Sequence, residues 1–219
     1  MRTGLLVVSL LSAGQPGADE VARALQKKYD SIRDFSAQFT HTYTGGVLRR
    51  SVTERGDVVI KKPGLMRWTY TAPEEKVFVA DGVKVYSYVP ADRQVVVSSM
   101  PAGDEASTPI LFLAGKGNLM RDFAVSFADA ADLPKTLATP GVHALKLVPR
   151  RRAPEYDWLV LIVDQVTLQL RGLVTRDQQG GTSAFVFANL KENVDPAEKT
   201  FTFKIPRGVE VIHASDAAR

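Results

Sequence analysis

The residues that could carry catalysis are few and scattered along this sequence. The three histidines, His41, His143 and His213, lie far apart, and none belongs to an HExxH motif or to an i,i+4 pair that could bind a metal ion. No G-x-S-x-G elbow is available to expose a nucleophilic serine. The "GKGN" stretch at 115–118 lacks the spacing of a phosphate-binding loop, and the carboxylates at 74–75 follow a proline, as in an exposed turn. Because no nucleophile, base and oxyanion site can be assembled, the sequence favours binding over catalysis.

The composition excludes several other kinds of site and partner. The 219 residues contain no cysteine, which excludes disulfides, a thiol nucleophile, a cysteine-based zinc site and a lipid-anchored mature N-terminus. We expect no metal and no cofactor. The net charge of +4 is spread over the chain, and its one dense run is the arginine triplet at 150–152. No basic stripe with interleaved aromatic residues is present, so nucleic acid is not an expected partner. The triplet indicates a solvated loop or a contact with anionic lipid or an acidic partner.

One short stretch has the pattern of a large apolar surface. In "KKPGLMRWTY" at 61–70, Met66, Trp68 and Tyr70 occupy alternate positions. Alternate side chains of an extended strand share one face, so three large side chains are expected to point to the same side. Such a face fits either a filled core or a cavity left open for an apolar ligand.

The elements that must position this face are one helix and many short strands. The helix is indicated by apolar residues at three- and four-residue spacing, Val21, Leu25, Tyr29 and Ile32. After it, hydrophobicity alternates with period two in segments at roughly ten-residue spacing, separated by turn signals such as Asp81-Gly82. The last predicted strand is "KTFTFKI" at 199–205. The pattern predicts a mainly β fold, with a large antiparallel sheet or barrel in one domain.

A single apolar segment interrupts the β pattern. In "STPILFLAGKG" at 107–117, Thr108 suits a helix N-cap, Pro109 suits the first helical position and Gly115 suits the stop. The residues between them are apolar on every side, so this helix must be covered on both faces or inserted into an apolar hole. A short core strand is the alternative interpretation.

The first residues of the chain predict export. Arg2 supplies a minimal positive n-region, Leu5 to Leu11 form an apolar h-region, and small residues follow up to Ala18. The apolar run is shorter than the roughly 20 residues that a transmembrane helix needs. We expect residues 1–18 to be a signal peptide, residues 19–219 to form the mature domain, and the mature protein to act in the periplasm. A buried N-terminal helix is the alternative.

Several stretches together resemble one known family, the periplasmic outer-membrane lipoprotein carriers (LolA). The central part, "KKPGLMRWTYTAPEEKVFVADGVKVYSYVPADRQ", resembles the family signature, a K-x-P-x-x-x-x-W motif that runs into a D-G-x-x-x-x-x-Y hairpin. In addition, "YDSIRDFSAQFTHT" looks like the first helix and strand of the family, "STPILFLAG" like its lid helix, and "FTFKIPRGVEVI" like its C-terminal strand and turn. The match extends from about residue 20 to residue 213, with order and spacing kept.

This resemblance implies a fold and a function. The family fold is an incomplete antiparallel β-barrel with an N-terminal helix and a short helical lid over a hydrophobic cavity. Its members accept acylated lipoproteins from an ATP-driven ABC transporter in the inner membrane, shield the acyl chains and deliver them to an outer-membrane receptor, as monomers and without catalysis. The resemblance predicts a cavity lined by Val58, Ile60, Met66, Trp68, Tyr70, Tyr86 and Tyr88. It predicts a lid formed by Pro109, Ile110, Leu111, Phe112 and Leu113.

Two parts of this predicted site stay open at the level of the sequence. Lys62 stands where the family usually has an arginine that is thought to bond to the lid backbone. A lysine can donate to lid carbonyls as a latch, but it lacks the planar fork of arginine, and a strand-end lysine extending to water is the alternative. In residues 83–89, Tyr86 and Tyr88 have the opposite parity to the valines, and the pattern does not decide which face is inward.

Three other functions remain compatible with the sequence. The same fold could bind another lipid or a glycolipid, because function depends on the site and not on the fold. It could also belong to a regulator that senses lipidated proteins and contacts a membrane protein. The third alternative is an enzyme whose carboxylate site no motif reveals.

Overall fold

The computed structural model describes five parts of the chain: residues 16–46, 50–100, 113–115, 117–153 and 155–214. Of the predicted signal peptide, only residues 16–18 are described. Of the predicted lid, only Leu113 is described; Pro109, Ile110, Leu111 and Phe112 lie outside the described residues.

The described residues form two α-helices and twelve strands. The helices are α1 (Ala18–Ser31) and the one-turn α2 (Leu119–Asp122). The first six strands are β1 (Asp34–Thr44), β2 (Ser51–Lys61), β3 (Leu65–Ala72), β4 (Lys76–Asp81), β5 (Lys84–Val89) and β6 (Gln94–Ser99). The other six are β7 (Phe123–Phe127), β8 (Val142–Pro149), β9 (Trp158–Asp164), β10 (Leu170–Arg176), β11 (Thr182–Glu192) and β12 (Glu210–His213).

All twelve strands belong to one open sheet. Their order is β12-β6-β5-β4-β3-β2-β1-β11-β10-β9-β8-β7, so β12 and β7 are the two edges and the sheet does not close on itself. Neighbouring strands are antiparallel except β12, which pairs parallel to β6. The long central strands β1 and β11 join the two halves of the sheet. The predicted mainly β fold, an incomplete antiparallel barrel with an N-terminal helix, is confirmed.

The alternation of side chains gives the sheet an inner and an outer face. We call the face that carries Met66, Trp68 and Tyr70 the inner face. Helix α1 lies on this side and buries Val21, Ala22 and Leu25 in the same hydrophobic core. The apolar side of α1 therefore covers part of the inner face, as expected for an amphipathic helix.

The outer face is covered by two chain segments. Leu137, in the connection between β7 and β8, packs on Val160, Ile162 and Val174 of β9 and β10. On the other half of the sheet, the segment between β11 and β12 lies against β3 and β4 and buries Phe201.

The segment between β11 and β12 corrects one prediction. Residues 199–205 are not a strand: a 3₁₀ turn at Glu198–Phe201 is followed by irregular chain. The buried Asp34 carboxylate fixes the start of this segment by accepting hydrogen bonds from the backbone N–H groups of Val194 and Asp195, at 2.6 and 3.1 Å. Alternating apolar residues indicate that one side of the segment is buried. Here the segment covers the outer face of the sheet and does not pair with it as a strand.

Candidate ligand-binding cavity

A cavity of about 570 Å³ lies on the inner face of the sheet. This volume is within the range of roughly 300–1,000 Å³ that is typical of small-molecule sites. The apolar part of its lining, here called the apolar wall, includes Met66, Trp68, Tyr70, Phe78, Val85 and Phe185. The polar part, here called the polar wall, includes His41, Tyr43, Thr175, Asp177 and Ser183. The cavity is therefore amphipathic.

The apolar wall is built by cross-strand pairs of aromatic residues. Trp68 of β3 stands directly opposite Phe78 of β4, so both side chains lie on the inner face. Phe39 of β1 holds the cluster together, with its ring centroid 5.1 Å from that of Trp68 and 4.8 Å from that of Tyr70. Edge-to-face contacts of this kind add about 0.5–1.5 kcal/mol per pair beyond the burial of apolar area. The wall is thus fixed by packing before any ligand enters.

Five of the seven predicted cavity residues lie on the inner face, in two groups. Met66, Trp68 and Tyr70 line the cavity, although each is at most 7% exposed, so they also belong to the core. Val58 and Ile60 share the inner face but are fully buried in the core and do not line this cavity.

The assignment of Tyr86 and Tyr88 to the cavity is wrong. Tyr86 stands opposite Val79 in the β4–β5 pairing, which puts it on the outer face. Both tyrosine rings pack against Phe203 of the segment between β11 and β12, with ring-centroid distances of 5.4 and 5.7 Å. Their neighbour Val85 lines the cavity instead. The inward parity of β5 is the valine parity, because the covering segment supplies an apolar environment on the outer face.

Two residues of the polar wall, His41 and Ser183, belong to a hydrogen-bonded cluster that could not be read from the sequence. His41 Nδ1 lies 3.1 Å from Glu54 Oε2, and His41 Nε2 lies 2.7 Å from Ser183 Oγ. Lys76 Nζ donates to Glu54 Oε1 at 2.6 Å. These groups come from strands β1, β2, β4 and β11, so no local motif could reveal them. The one sequence signal was that His41 shares the parity of the apolar residues in β1.

Burial and hydrogen bonding set the charge of this cluster. Burial lowers the pKa of His41, despite the opposing influence of the Glu54 carboxylate. Burial alone would raise the pKa of Glu54, but hydrogen bonds from Lys76 and His41 outweigh it and lower that pKa. At neutral pH the cluster therefore holds a neutral imidazole beside the Glu54 carboxylate.

The lowered pKa of His41 predicts a loss of stability on acidification. Below the imidazole pKa of about 6.5 in an unfolded chain, the unfolded state binds a proton that the folded state does not. The free energy of unfolding should therefore fall as the pH drops from 7 to 5, and His41→Gln should make this fall smaller. Urea unfolding at both pH values measures it. An equally steep fall in the variant would show that His41 is not its source.

A second group of contacts fixes the described end of the predicted lid. The Lys62 ammonium donates to the Tyr29 carbonyl and lies 3.9 Å from the Tyr29 ring centroid. The Tyr29 hydroxyl in turn donates to the Leu113 carbonyl. The backbone N–H of Gly64 donates to the Ala114 carbonyl at 2.9 Å. At the described end of the predicted lid, Lys62 is thus linked to Leu113 through Tyr29. A direct bond from Lys62 to residues 109–112 would lie outside the described residues and stays a prediction.

This relay predicts that two variants loosen the same segment. Tyr29→Phe removes the hydroxyl and Lys62→Leu removes the ammonium, so each variant deletes a hydrogen bond of about 1 kcal/mol. Amide hydrogen exchange in residues 113–115 should become roughly fivefold faster in either variant. The double variant should add little, since both residues act through one chain of contacts. Tyr43→Phe, which removes a hydroxyl from the polar wall of the cavity, is the matched control. It should leave amide hydrogen exchange in residues 113–115 unchanged.

Among the residues that the structure describes, no group of three or more metal-ligating side chains lies together. The helices found in the same parts of the chain include none that is both long and apolar enough to span a membrane. The described architecture is a half-barrel: an open, mostly antiparallel sheet with helix α1 and an amphipathic cavity on its inner face.

Comparison with known proteins places this half-barrel in a family. The model of the family described as "Outer membrane lipoprotein carrier protein LolA" matches residues 30–204, and the chain belongs to this family. A protein of Hahella chejuensis named "Outer-membrane lipoprotein carrier protein" is 31% identical over 212 residues, which cover 95% of this chain and 96% of that protein. A protein of Chromohalobacter salexigens with the same name is 29% identical over 94% of this chain and 92% of its own.

The fold is also found in a solved structure with little sequence similarity. An uncharacterized conserved protein from Thermus thermophilus matches with a TM-score of 0.52 at 15% identity, and the match covers 90% of this chain and 98% of that one. At this identity the likeness concerns the fold alone.

Proposed function

We propose that this chain is a periplasmic lipoprotein carrier. It accepts lipoproteins that an ABC transporter releases from the inner membrane, shields their acyl chains in the inner-face cavity, and delivers them to a receptor at the outer membrane. It acts as a monomer and has no catalytic step. Residues 1–18 serve as the signal peptide, and residues 19–219 form the carrier domain.

The observation that carries this proposal is the apolar wall of the cavity in a chain of the lipoprotein carrier family. Trp68, Tyr70, Phe78 and Phe185 present an apolar surface on the inner face, with space beside it for a ligand. Met66 adds a flexible, polarisable side chain that can adapt to acyl chains of different length. A wall of this kind can contact acyl chains in more than one conformation.

Release of the cargo limits how well the cavity should fit. Each buried methylene contributes about 0.8 kcal/mol, so ten of them would contribute about 8 kcal/mol before any cost. A carrier must give the cargo up again, and a lid that competes for the cavity lowers the net affinity. The contacts from Tyr29 and Gly64 to Leu113 and Ala114 support such a lid, because they hold the described end of this segment in the core that also contains Met66 and Trp68. Lys62→Leu should therefore fold normally but retain cargo longer and deliver it to the receptor more slowly.

A release assay tests this function against its alternatives. Spheroplasts that hold labelled outer-membrane lipoproteins are incubated with the purified mature protein, and the supernatant is examined by native mass spectrometry. A soluble one-to-one complex is the expected result. A copurified lipid or glycolipid without lipoprotein release would contradict the carrier function and assign the cavity to another lipid. A protein without any bound lipid and without release would contradict both.

A further inference from the structure

The lining of the cavity changes from apolar to polar along two neighbouring strands. On β10, Leu173 is 1% exposed, and the next residues along the chain that line the cavity are the half-buried Thr175 and Asp177. On β11, Phe185 is 5% exposed, and the half-buried Ser183 lies two residues closer to the same turn. The cavity therefore has a buried, apolar part and a more accessible, polar part near the β10–β11 turn.

Three hydroxyl side chains stand in a row across the polar part. Ser183 of β11 lies opposite Tyr43 of β1 on one side and opposite Thr175 of β10 on the other. Directly opposed residues of antiparallel strands share a face, with Cβ atoms about 4.5–5.5 Å apart. We call Tyr43, Ser183 and Thr175 the hydroxyl row, and all three line the cavity. Each hydroxyl oxygen can accept a hydrogen bond, so the row suits a polar head group that carries donors.

The charged side chains beside this row are acidic. Asp177 and Glu155 line the cavity, and no lysine or arginine is found among the described residues of its lining. One oxygen of Asp177 accepts from the backbone N–H groups of Gln179 and Gly181, at 2.9 and 2.8 Å. Its other oxygen accepts from the Tyr43 hydroxyl at 3.3 Å. Because these donors are uncharged, they orient the carboxylate without neutralising it.

The basic side chains near this region leave the polar part without a positive charge. Lys76 forms an ion pair with Glu54 at 2.6 Å, and neither residue lines the cavity. Arg151 and Arg152 line a separate depression. His41 does line the cavity, but burial lowers its pKa, so its imidazole is neutral at neutral pH. A head group in the polar part therefore contacts carboxylates and hydroxyls and not an ammonium or a guanidinium.

We propose that the hydroxyl row, with Asp177 and Glu155, forms a head-group subsite that accepts an uncharged or cationic head and disfavours an anionic one. The acyl chain lies against the apolar wall, and its head lies in the polar part, where the hydroxyl row offers it hydrogen bonds. A negative head is repelled by the two carboxylates, more strongly in a partly buried site than in water. The inference rests on the proposed function and adds to it the class of ligand: acylated molecules without a negative charge next to the chain, and not free fatty acids.

Displacement of a fluorescent acyl probe by three ligands tests the proposal. On chains of equal length, monolauroylglycerol has an uncharged head with hydroxyls, dodecylamine has a cationic head and laurate has an anionic head. The purified mature protein is titrated with each ligand at neutral pH, below the concentration at which the ligand forms micelles. We expect wild type to bind laurate roughly tenfold more weakly than either of the other two ligands.

Substitution of the carboxylates should remove this selectivity. The double variant Asp177→Asn/Glu155→Gln should bind laurate roughly fivefold more tightly than wild type, because the repulsion is gone. The amide oxygen that Asp177→Asn introduces can still accept from the backbone N–H groups of the turn, so the fold is kept. The matched control is Asp92→Asn/Glu198→Gln, which removes two exposed carboxylates that do not line the cavity and should keep the selectivity of wild type.

Loss of one hydroxyl tests the hydrogen-bonding part of the subsite. Thr175→Val nearly keeps the shape of the side chain. It should weaken binding of monolauroylglycerol by roughly three- to tenfold, and binding of methyl laurate, which has no hydroxyl, by less. Equal weakening of both ligands would overturn the role of the hydroxyl row.

Failure of this inference can be told from failure of the proposed function. If wild type binds none of the ligands, the carrier function fails as well. If wild type binds all three equally, or binds laurate best, the carrier function stands and the head-group inference is overturned. A loss of selectivity in the control variant would also overturn it, because the effect would then come from the net charge of the protein.

Discussion

Val85→Asp is expected to weaken acyl-chain binding strongly while the protein still folds. Val85 lines the apolar wall and is only partly buried, so an aspartate there can reach water in the unloaded state. In the loaded state an acyl chain would cover this carboxylate without offering it a hydrogen bond. Desolvation of an unpaired polar group costs several kcal/mol, and we expect a loss in affinity on the order of a hundredfold.

A control two residues away separates the cavity from the general effect of a new charge. Val83 lies in the β4–β5 turn and is 71% exposed, so Val83→Asp should bind an acylated lipopeptide like wild type. The measurement is isothermal titration of both variants with the same lipopeptide, after thermal unfolding has shown that both are folded. Unchanged binding by Val85→Asp would mean that acyl chains do not lie in this cavity.

Gly56→Ala is expected to have the largest effect on stability. Gly56 of β2 lies on the inner face directly opposite Phe39, under the ring that joins Trp68 to Tyr70. A Cβ at this position would lie 2.0 Å from the Thr69 carbonyl oxygen and 2.9 Å from the end of the Phe39 ring. The backbone of β3 must shift to admit it. Overpacking of this kind costs about 1–3 kcal/mol, and the displaced ring should disturb the cavity wall as well.

Gly45→Ala is the matched control for this prediction. Its Cβ would meet nothing closer than 4.0 Å, so its free energy of unfolding should differ from wild type by less than about 0.5 kcal/mol. Urea unfolding of both variants measures the difference. Equal stability of the two variants would show that β2 and β3 are packed less tightly at Gly56 than the structure indicates.

The sequence predicted most of the elements but not every face of the sheet. The spacing of Val21, Leu25 and Tyr29 predicted α1, and period-two alternation with turn signals predicted the antiparallel sheet. The parity of Met66, Trp68 and Tyr70 correctly put three side chains on one face, because parity is fixed by strand geometry. Whether such a face fills a core or lines a space depends on what lies opposite it. Here it does both.

The errors have one physical origin, which is coverage of the outer face. Tyr86 and Tyr88 were expected in the cavity from the resemblance to the carrier family. The segment between β11 and β12 instead gives them an apolar environment on the outer face, through Phe203. Alternation cannot show which face is inward when both faces are covered, and the same segment was mistaken for a strand for the same reason.

The polar cluster could not be predicted for a different reason. His41, Glu54 and Ser183 are brought together by the pairing of β1 with both β2 and β11, two registers that a single sequence does not display. The role of Tyr29 in the relay to Leu113 was equally hidden, because its spacing in α1 already explained it as a buried helix residue.

Photo-crosslinking tests whether acyl chains lie in the inner-face cavity. A photoreactive phenylalanine analogue replaces Phe78 on the apolar wall or Phe203 on the outer face, and cells that make either variant are illuminated. We expect acylated lipoproteins to crosslink to position 78 and not to position 203. Crosslinks at position 203 alone, in cells whose lipoproteins still reach the outer membrane, would contradict it.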